Sequence, residues 1–237
     1  MATVDFMAKV IALTPANRDQ DHVPLLTYQM PQIPDRSTAI LGGTDEPFEP
    51  MLLALRRLAQ GGAQFAVIPC NTAHHWYERL ARAQPMPILH IAEAVRLELE
   101  RRTPQPVRPA ILATRGTLLS GIYNGRLGAA EPVILDEPAQ RQVDLAIHSV
   151  KASDQATALA AAREAGRRAL MLGADVLILA CTELPVALAG DPLLASCIDS
   201  TLALARLCIL ESTGDLPTDS GAAPGMAESR CAVAEST

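Results

Sequence analysis

The sequence predicts an α/β protein of two similar domains, each a mostly parallel sheet flanked by helices, with a functional cleft between them. Three observations predict it. Two short apolar runs, FAVIPCNTAHH and VLILACTELP, each end on a cysteine followed by small polar residues, Cys70 in one and Cys181 in the other. Helix and strand patterns alternate along the chain, and their order repeats after the proline-rich stretch TPQPVRP. Residues 65–69 and 176–180 are continuous aliphatic or β-branched runs, as strands buried on both faces of a parallel sheet should be. Ligands of open α/β sheets bind beyond the carboxyl ends of the strands, which is where both cysteines fall.

Taken in order, ATVDFMAKVIAL reads as a helix, PLLTYQ as a strand, and EPMLLALRRLAQGG as a helix with a glycine stop. The Cys70 strand follows, then a helix from Thr72, a short strand PILHI and the helix AEAVRLELERR. TPQPVRP, with three prolines, reads as a linker. The second half runs through strand PAILAT, helix TLLSGIYNGRL, strand EPVIL, a helix from Pro138, the long helix DQATALAAAREAGRRALMLG and the Cys181 strand. A short strand in SCID and the helix STLALARLCIL close the series. Residues 212–237, rich in Gly, Pro, Ser, Thr and Ala without periodicity, are expected to form a disordered tail. The first domain is assigned residues 1–103 with 198–211, and the second residues 104–197.

The halves can be laid over one another on their cysteines, and both continue through a short strand into a helix, ILHIAEAV in one and CIDSTLAL in the other. This internal duplication exposes a gap. PAILATRG stands well before Cys181, but the same distance back from Cys70 runs off the start of the chain, and MATVDFMAKV aligns with the helix TLLSGIYNGRL. The first half is therefore expected to lack its first strand and the turn after it.

Composition narrows the function classes. The net charge is −6, no apolar run approaches the roughly 18 residues of a membrane span, and the arginines form no basic stripe, which excludes membrane and nucleic-acid partners. Five cysteines and no cleavable signal pattern point to free thiols in a reducing cytoplasm. Zinc-type cysteine spacing, a P-loop and a dinucleotide-binding glycine fingerprint are absent from the sequence. His74 and His75 are adjacent and would point in different directions on a helix, which argues against a metal pair. His90, at a strand end, reads as a supporting or core residue.

CNTAH after a buried strand, CTELP in the second half, TPANRDQDH followed by PQIPDR near the start, and ATRGT opening the second half together resemble the aspartate/glutamate racemase family. The likeness covers residues 2–211. It implies a cofactor-independent amino-acid racemase, without metal, that acts on a small amino-acid substrate and forms a homodimer. The family usually begins with a strand and a Gly-Gly-Met-Gly-Pro turn immediately before an Ala-Thr like Ala2-Thr3. Neither is in this sequence, and the expectation is that the reading frame continues upstream of Met1.

Inverting an α-carbon calls for one group to remove its proton from one face while another delivers a proton to the other. A free thiol titrates near 8.5, about right for one thiolate and one thiol to coexist near neutrality. Helix N-termini after both cysteines, with Asn71, Thr72, Thr182 and Glu183 as capping types, are expected to favour the thiolate and to offer N–H groups to a carboxylate. The resemblance implies that Cys70 and Cys181 act on opposite faces. It further implies that Asn71, Thr72, Thr117 and Thr182 hold the α-carboxylate and amino group, that Arg36 and Lys151 face an acidic substrate, and that Glu183 adjusts charge beside the second thiol. Lys151 is one of only two lysines among twenty cationic side chains, the other being Lys9. Cys197 and Cys208 read as packing residues, and Cys231 falls in the tail. Aspartate or glutamate is the expected substrate. A broad-specificity amino-acid racemase, a hydantoin racemase, a maleate isomerase, or an inactive or binding protein lacking the first strand are the alternatives.

Overall fold

The structure is a computed structural model that describes residues 2–102 and 107–214. Two parallel sheets lie at its centre. The first pairs β1 (Ala66–Val67) with β2 (Ile88–Leu89), and the second runs in the order β3 (Pro109–Ala113), β4 (Val176–Ala180), β5 (Cys197–Asp199). Every residue of β4 is buried, which accounts for its unbroken aliphatic sequence. Around the first sheet stand α1 (Ala2–Leu13), α2 (Arg36–Leu41), α3 (Phe48–Gln60), α4 (Tyr77–Ala83) and α5 (Ile91–Arg102). Around the second stand α6 (Arg115–Ser120), α7 (Glu137–Lys151), α8 (Gln155–Met171), α9 (Glu183–Ala187) and α10 (Pro192–Ala195). The closing helix α11 (Ser200–Thr213) packs back onto α5 and α1. Among the described residues, no helix is long and apolar enough to cross a membrane.

Local chemistry sets these boundaries. Asp136 and Asp154 start α7 and α8 by accepting from the N–H groups of Ala139 and Thr157. Ala158, Ala161, Ala162, Ala165 and Ala169 form a buried stripe on α8, small enough to bring it close against α7. Asp199 accepts from the N–H groups of Thr201 and Leu202 at the start of α11. The same carboxylate receives Lys9 Nζ at 2.7 Å, and Lys9 also reaches Asp5 at 2.6 Å, so one lysine ties α1 to the end of the second sheet.

The two-domain α/β class is as expected, but several elements differ in extent. PLLTYQ is not a strand: with no neighbouring strand to complete a ladder, residues 24–29 form no regular element. EPVIL contributes a single bridge, Val133 to Ala110, with the N–H groups of Glu131 and Val133 donating to Val107 and Pro109. The helix in TLLSGIYNGRL stops at Ser120, where Gly121 turns left-handed at φ 64°. After Cys70 the chain first winds as a 3₁₀ turn, Thr72–Trp76, and becomes α-helical only at Tyr77. Helix α11 extends through Thr213, past the expected start of the tail. The linker residues 103–106 and residues 215–237, Cys231 included, lie outside the described residues.

A buried histidine clips the end of β1 in place. His74 Nδ1 donates to the Cys70 carbonyl at 2.9 Å, and its Nε2 accepts from the N–H of Ile91 at 3.2 Å, at the start of α5. His90 lies against it, ring centroids 4.7 Å apart, and accepts from Ala92 N–H. Burial lowers both, His74 to about 4 and His90 to about 3, with His74 itself adding to the drop at His90. His75 is exposed on the opposite side, as their adjacency predicted.

Two outcomes follow from these contacts. Asp199→Ala removes the α11 cap and one partner of a half-buried lysine, and is expected to lower stability by about 2–3 kcal/mol in urea unfolding. The histidines stay neutral in the folded chain while the unfolded chain binds protons near 6.5, so their contribution is present above pH 6.5 and lost as pH falls toward 4. Urea midpoints should therefore drop across that window, and less steeply in His74→Gln.

Candidate active site

Cys181 directly follows β4 and Cys70 stands three residues beyond β1, and both are half-buried free cysteines. The two sulfurs are close enough for charge on Cys70 to act on Cys181. Their immediate neighbours are of opposite sign. At Cys181, the thiol donates to Glu183 Oε2 at 2.9 Å, and Thr182 Oγ1 donates to the same oxygen at 3.1 Å. Burial and then the Glu183 carboxylate push this thiol well above its ordinary value. The help that a helix N-terminus was expected to give a thiolate is limited here, since α9 is a single short turn and burial, then the adjacent carboxylate, act against the charged form.

At Cys70 the neighbour is a cation. Arg36, the first residue of α2, carries its charge near enough to Cys70 and Glu183 to interact with both. Burial alone would weaken its charge, but Cys70, Asp35 and Glu183 reverse that and raise it. Its Nη1 also donates to Pro34 O at 3.2 Å, which fixes the guanidinium against its own loop. Asp35 caps α2 by accepting from the N–H and hydroxyl of Thr38. Burial would raise the Asp35 carboxyl, but Thr38, and then Lys151 and Arg36, hold it below its usual value. Lys151, exposed at the end of α7, thus carries its charge near enough to Asp35 to act on it.

Hydroxyls line the wall between the halves. Thr72 Oγ1 lies 2.7 Å from Thr117 Oγ1 and 3.2 Å from Thr114 Oγ1, and Thr114 and Thr117 are 3.0 Å apart. Ser37, from α2, donates to Thr114 at 3.0 Å. Gly116 makes this approach possible, because a Cβ there would sit 2.7 Å from the Ser37 Cα. Hydroxyls donate and accept by rotation, so this cluster can turn its protons toward an anion.

Asn71 differs from its expected role. Its side chain is buried, its Nδ2 donating to Ser200 Oγ at 2.9 Å and its Oδ1 accepting from Tyr123 at 2.6 Å. Ser200 in turn donates to Leu179 O, in β4. The amide thus joins the two halves behind the cleft rather than facing it. Thr182 and Glu183 stand beside Cys181, Arg36 interacts with Cys70, and Thr72 and Thr117 bond to one another, while Cys197 and Cys208 are buried in packing.

Ser37, Thr114, Tyr123 and Ser200 were missed by sequence reasoning. Thr114 lies inside the quoted ATRGT, and Ser200 follows the capping Asp199, so both carried a local signal. Ser37 and Tyr123 act through partners far along the chain and carried none. Among the described residues, no group of three or more His, Cys, Asp or Glu is placed to hold a metal ion.

Comparison with known proteins identifies the family. The pattern of the Asp/Glu/Hydantoin racemase family matches residues 1–208. The chain is 30% identical over 213 residues to the broad specificity amino-acid racemase RacX of Bacillus subtilis (strain 168), covering 86% of this chain and 90% of that one. The solved structure of Picrophilus torridus aspartate racemase is similar with a TM-score of 0.76 at 30% identity, covering 93% of this chain and 92% of the other. An aspartate racemase homologue from Pyrococcus horikoshii OT3 shares the fold, with a TM-score of 0.70 at 19% identity over 90% and 94% of the two chains. The two facing strand ends and the match along nearly the whole described chain place this protein in the Asp/Glu/hydantoin racemase family, among the amino-acid racemases, a class of isomerases.

Proposed function

We infer that the chain racemises an acidic amino acid, aspartate or glutamate, by proton transfer between Cys70 and Cys181. The observation that carries this reading is the opposite charge beside the two sulfurs, Arg36 at Cys70 and Glu183 at Cys181. A thiolate at Cys70 has a cation to pair with; a thiolate at Cys181 would face a carboxylate. In the resting protein Cys70 is accordingly the base and Cys181 the acid.

The Cys70 thiolate takes the α-proton, and the C–H electron pair passes into the α-carboxylate as an enediolate. The Cys181 S–H then gives its proton to the opposite face, and that electron pair returns to form the new C–H bond. Cys70 is left as the thiol and Cys181 as the thiolate. A carboxylate in the hydroxyl cluster of Thr72, Thr114 and Thr117 would receive donors where charge develops, with Thr182 beside the second thiol. The distal carboxylate of the substrate would pair with Arg36 and Lys151 at the rim. The free thiols support action in a reducing cytoplasm, and the family resemblance supports a homodimer whose halves divide near residues 103 and 198.

A second reading concerns breadth. Similarity to a broad specificity racemase, together with the exposure of Lys151, supports turnover of neutral amino acids as well. Circular dichroism of single enantiomers of aspartate, glutamate and neutral amino acids decides between them, and no turnover of the two acidic substrates would sink the main reading.

Cys70→Ser and Cys181→Ser are each expected to reduce racemisation by about 10³-fold or more. One of them should retain α-hydrogen exchange with deuterated solvent for a single enantiomer. Near-normal racemisation by either folded variant would rule out two-base catalysis. Glu183→Gln removes the negative charge that keeps Cys181 protonated, so the alkaline limb of the pH–rate profile should move to lower pH. An unchanged limb would mean that Glu183 does not set the state of this thiol.

A further inference from the structure

Three threonine hydroxyls in the wall of the cleft could satisfy one another completely. Thr114 and Thr117 are 3.0 Å apart, Thr117 and Thr72 2.7 Å, and Thr72 and Thr114 3.2 Å, and hydroxyls so placed can each donate to the next around a closed ring. A closed ring has no proton left for a ligand. Ser37 prevents the closure. A hydroxyl oxygen accepts through two lone pairs, and at Thr114 both are taken. Ser37 Oγ donates to one at 3.0 Å, and the N–H of Thr117 donates to the other at 3.2 Å in capping α6. Thr114 is therefore left to donate to the other threonines and accepts from neither hydroxyl.

The spacings give this chain of donation a direction. Thr114 is nearer to Thr117 than to Thr72, and the contact between Thr117 and Thr72 is the shortest of the three. Donation thus runs from Ser37 to Thr114, to Thr117 and to Thr72. The last of these is the more open, Thr72 being 7% exposed against 1% for Thr117, and it stands two residues after Cys70. Ser37 reaches Thr114 because residue 116 is glycine: a Cβ there would lie 2.8 Å from Ser37 Oγ and 2.7 Å from Ser37 Cα. Helix α2 accordingly brings two groups to the cleft, Arg36, whose charge acts on Cys70, and at the next position the hydroxyl that saturates Thr114.

We propose that Ser37 is a positioning residue that keeps the threonine ring open and so holds the Thr72 O–H free to donate to a carboxylate of the bound ligand, an inference that rests on reading this wall as the carboxylate site. Ser37 acts through Thr114 and touches no ligand itself. Without its hydroxyl, Thr114 regains a lone pair and Thr72 turns its proton onto it. An incoming carboxylate must then break that bond before it gains a donor, and the donor is no longer preorganised for the charge that develops there.

The test is calorimetric binding of succinate, a dicarboxylate without an amino group, to the unaltered chain, Ser37→Ala, Thr114→Ala and the double variant. Ser37→Ala is expected to raise Kd about fivefold, the worth of one neutral hydrogen bond. In Thr114→Ala the ring cannot close whatever stands at position 37, so adding Ser37→Ala should change Kd by less than about twofold. Equal weakening in both backgrounds overturns the proposal, because Ser37 would then act by steering α2 or Arg36. An unchanged Kd in Ser37→Ala overturns it as well, and so does a lack of succinate binding by the unaltered chain. Should loss of the α6 cap unfold Thr114→Ala, Thr72→Val is the second background: no proton remains at position 72 to be recaptured, and further weakening there by Ser37→Ala has the same force. Racemisation is measured separately, so absence of turnover counts against the proposed function while the succinate ratios still decide the role of Ser37.

Discussion

The buried amide of Asn71 holds the ends of the two sheets that carry Cys70 and Cys181 at a fixed separation. It accepts from Tyr123, donates to Ser200, and through Ser200 reaches the backbone of β4, so the end of β1 is tied to the strand that carries Cys181. A buried polar network of this kind is stabilising only when every member is satisfied. His74 supports it from the other side, because its one proton is committed to the Cys70 carbonyl and its free nitrogen to α5. The backbone around Cys70 is therefore held by side chains rather than by sheet hydrogen bonds, of which β1 has few.

Given that frame, the difference between the thiols comes from single neighbours. Glu183 is two residues from Cys181, so its effect is built into the local chain. Arg36 reaches Cys70 from a distant loop and depends on Pro34 and the Asp35 cap for its direction. One sulfur's environment is local in sequence and the other's is assembled by folding.

That distinction also explains what could be read in advance. Both cysteine-ended strands, the repeated order of elements and the long helices α7 and α8 were legible because periodicity and capping are local signals. Glu183 was legible for the same reason. PLLTYQ has the composition of a strand, but a strand exists only with a partner, which composition does not report. Gly121 marked the end of the helix in TLLSGIYNGRL in plain view, and pattern outweighed it. The role of Asn71 was hidden because its partners, Tyr123 and Ser200, are 52 and 129 residues away. The Cys181 thiol is raised by burial first and by the Glu183 carboxylate second, and burial is a tertiary property that the local sequence does not report.

The close contact of Gly116 with Ser37 bears on the aperture of the cleft. Helices α2 and α6 meet there with no room for a methyl group, so the two walls close to the limit that backbone allows. A larger residue would act as a wedge and hold the hydroxyl wall apart by about its own thickness. The spacing of the two helices is thus set by the one residue type that adds nothing to the backbone.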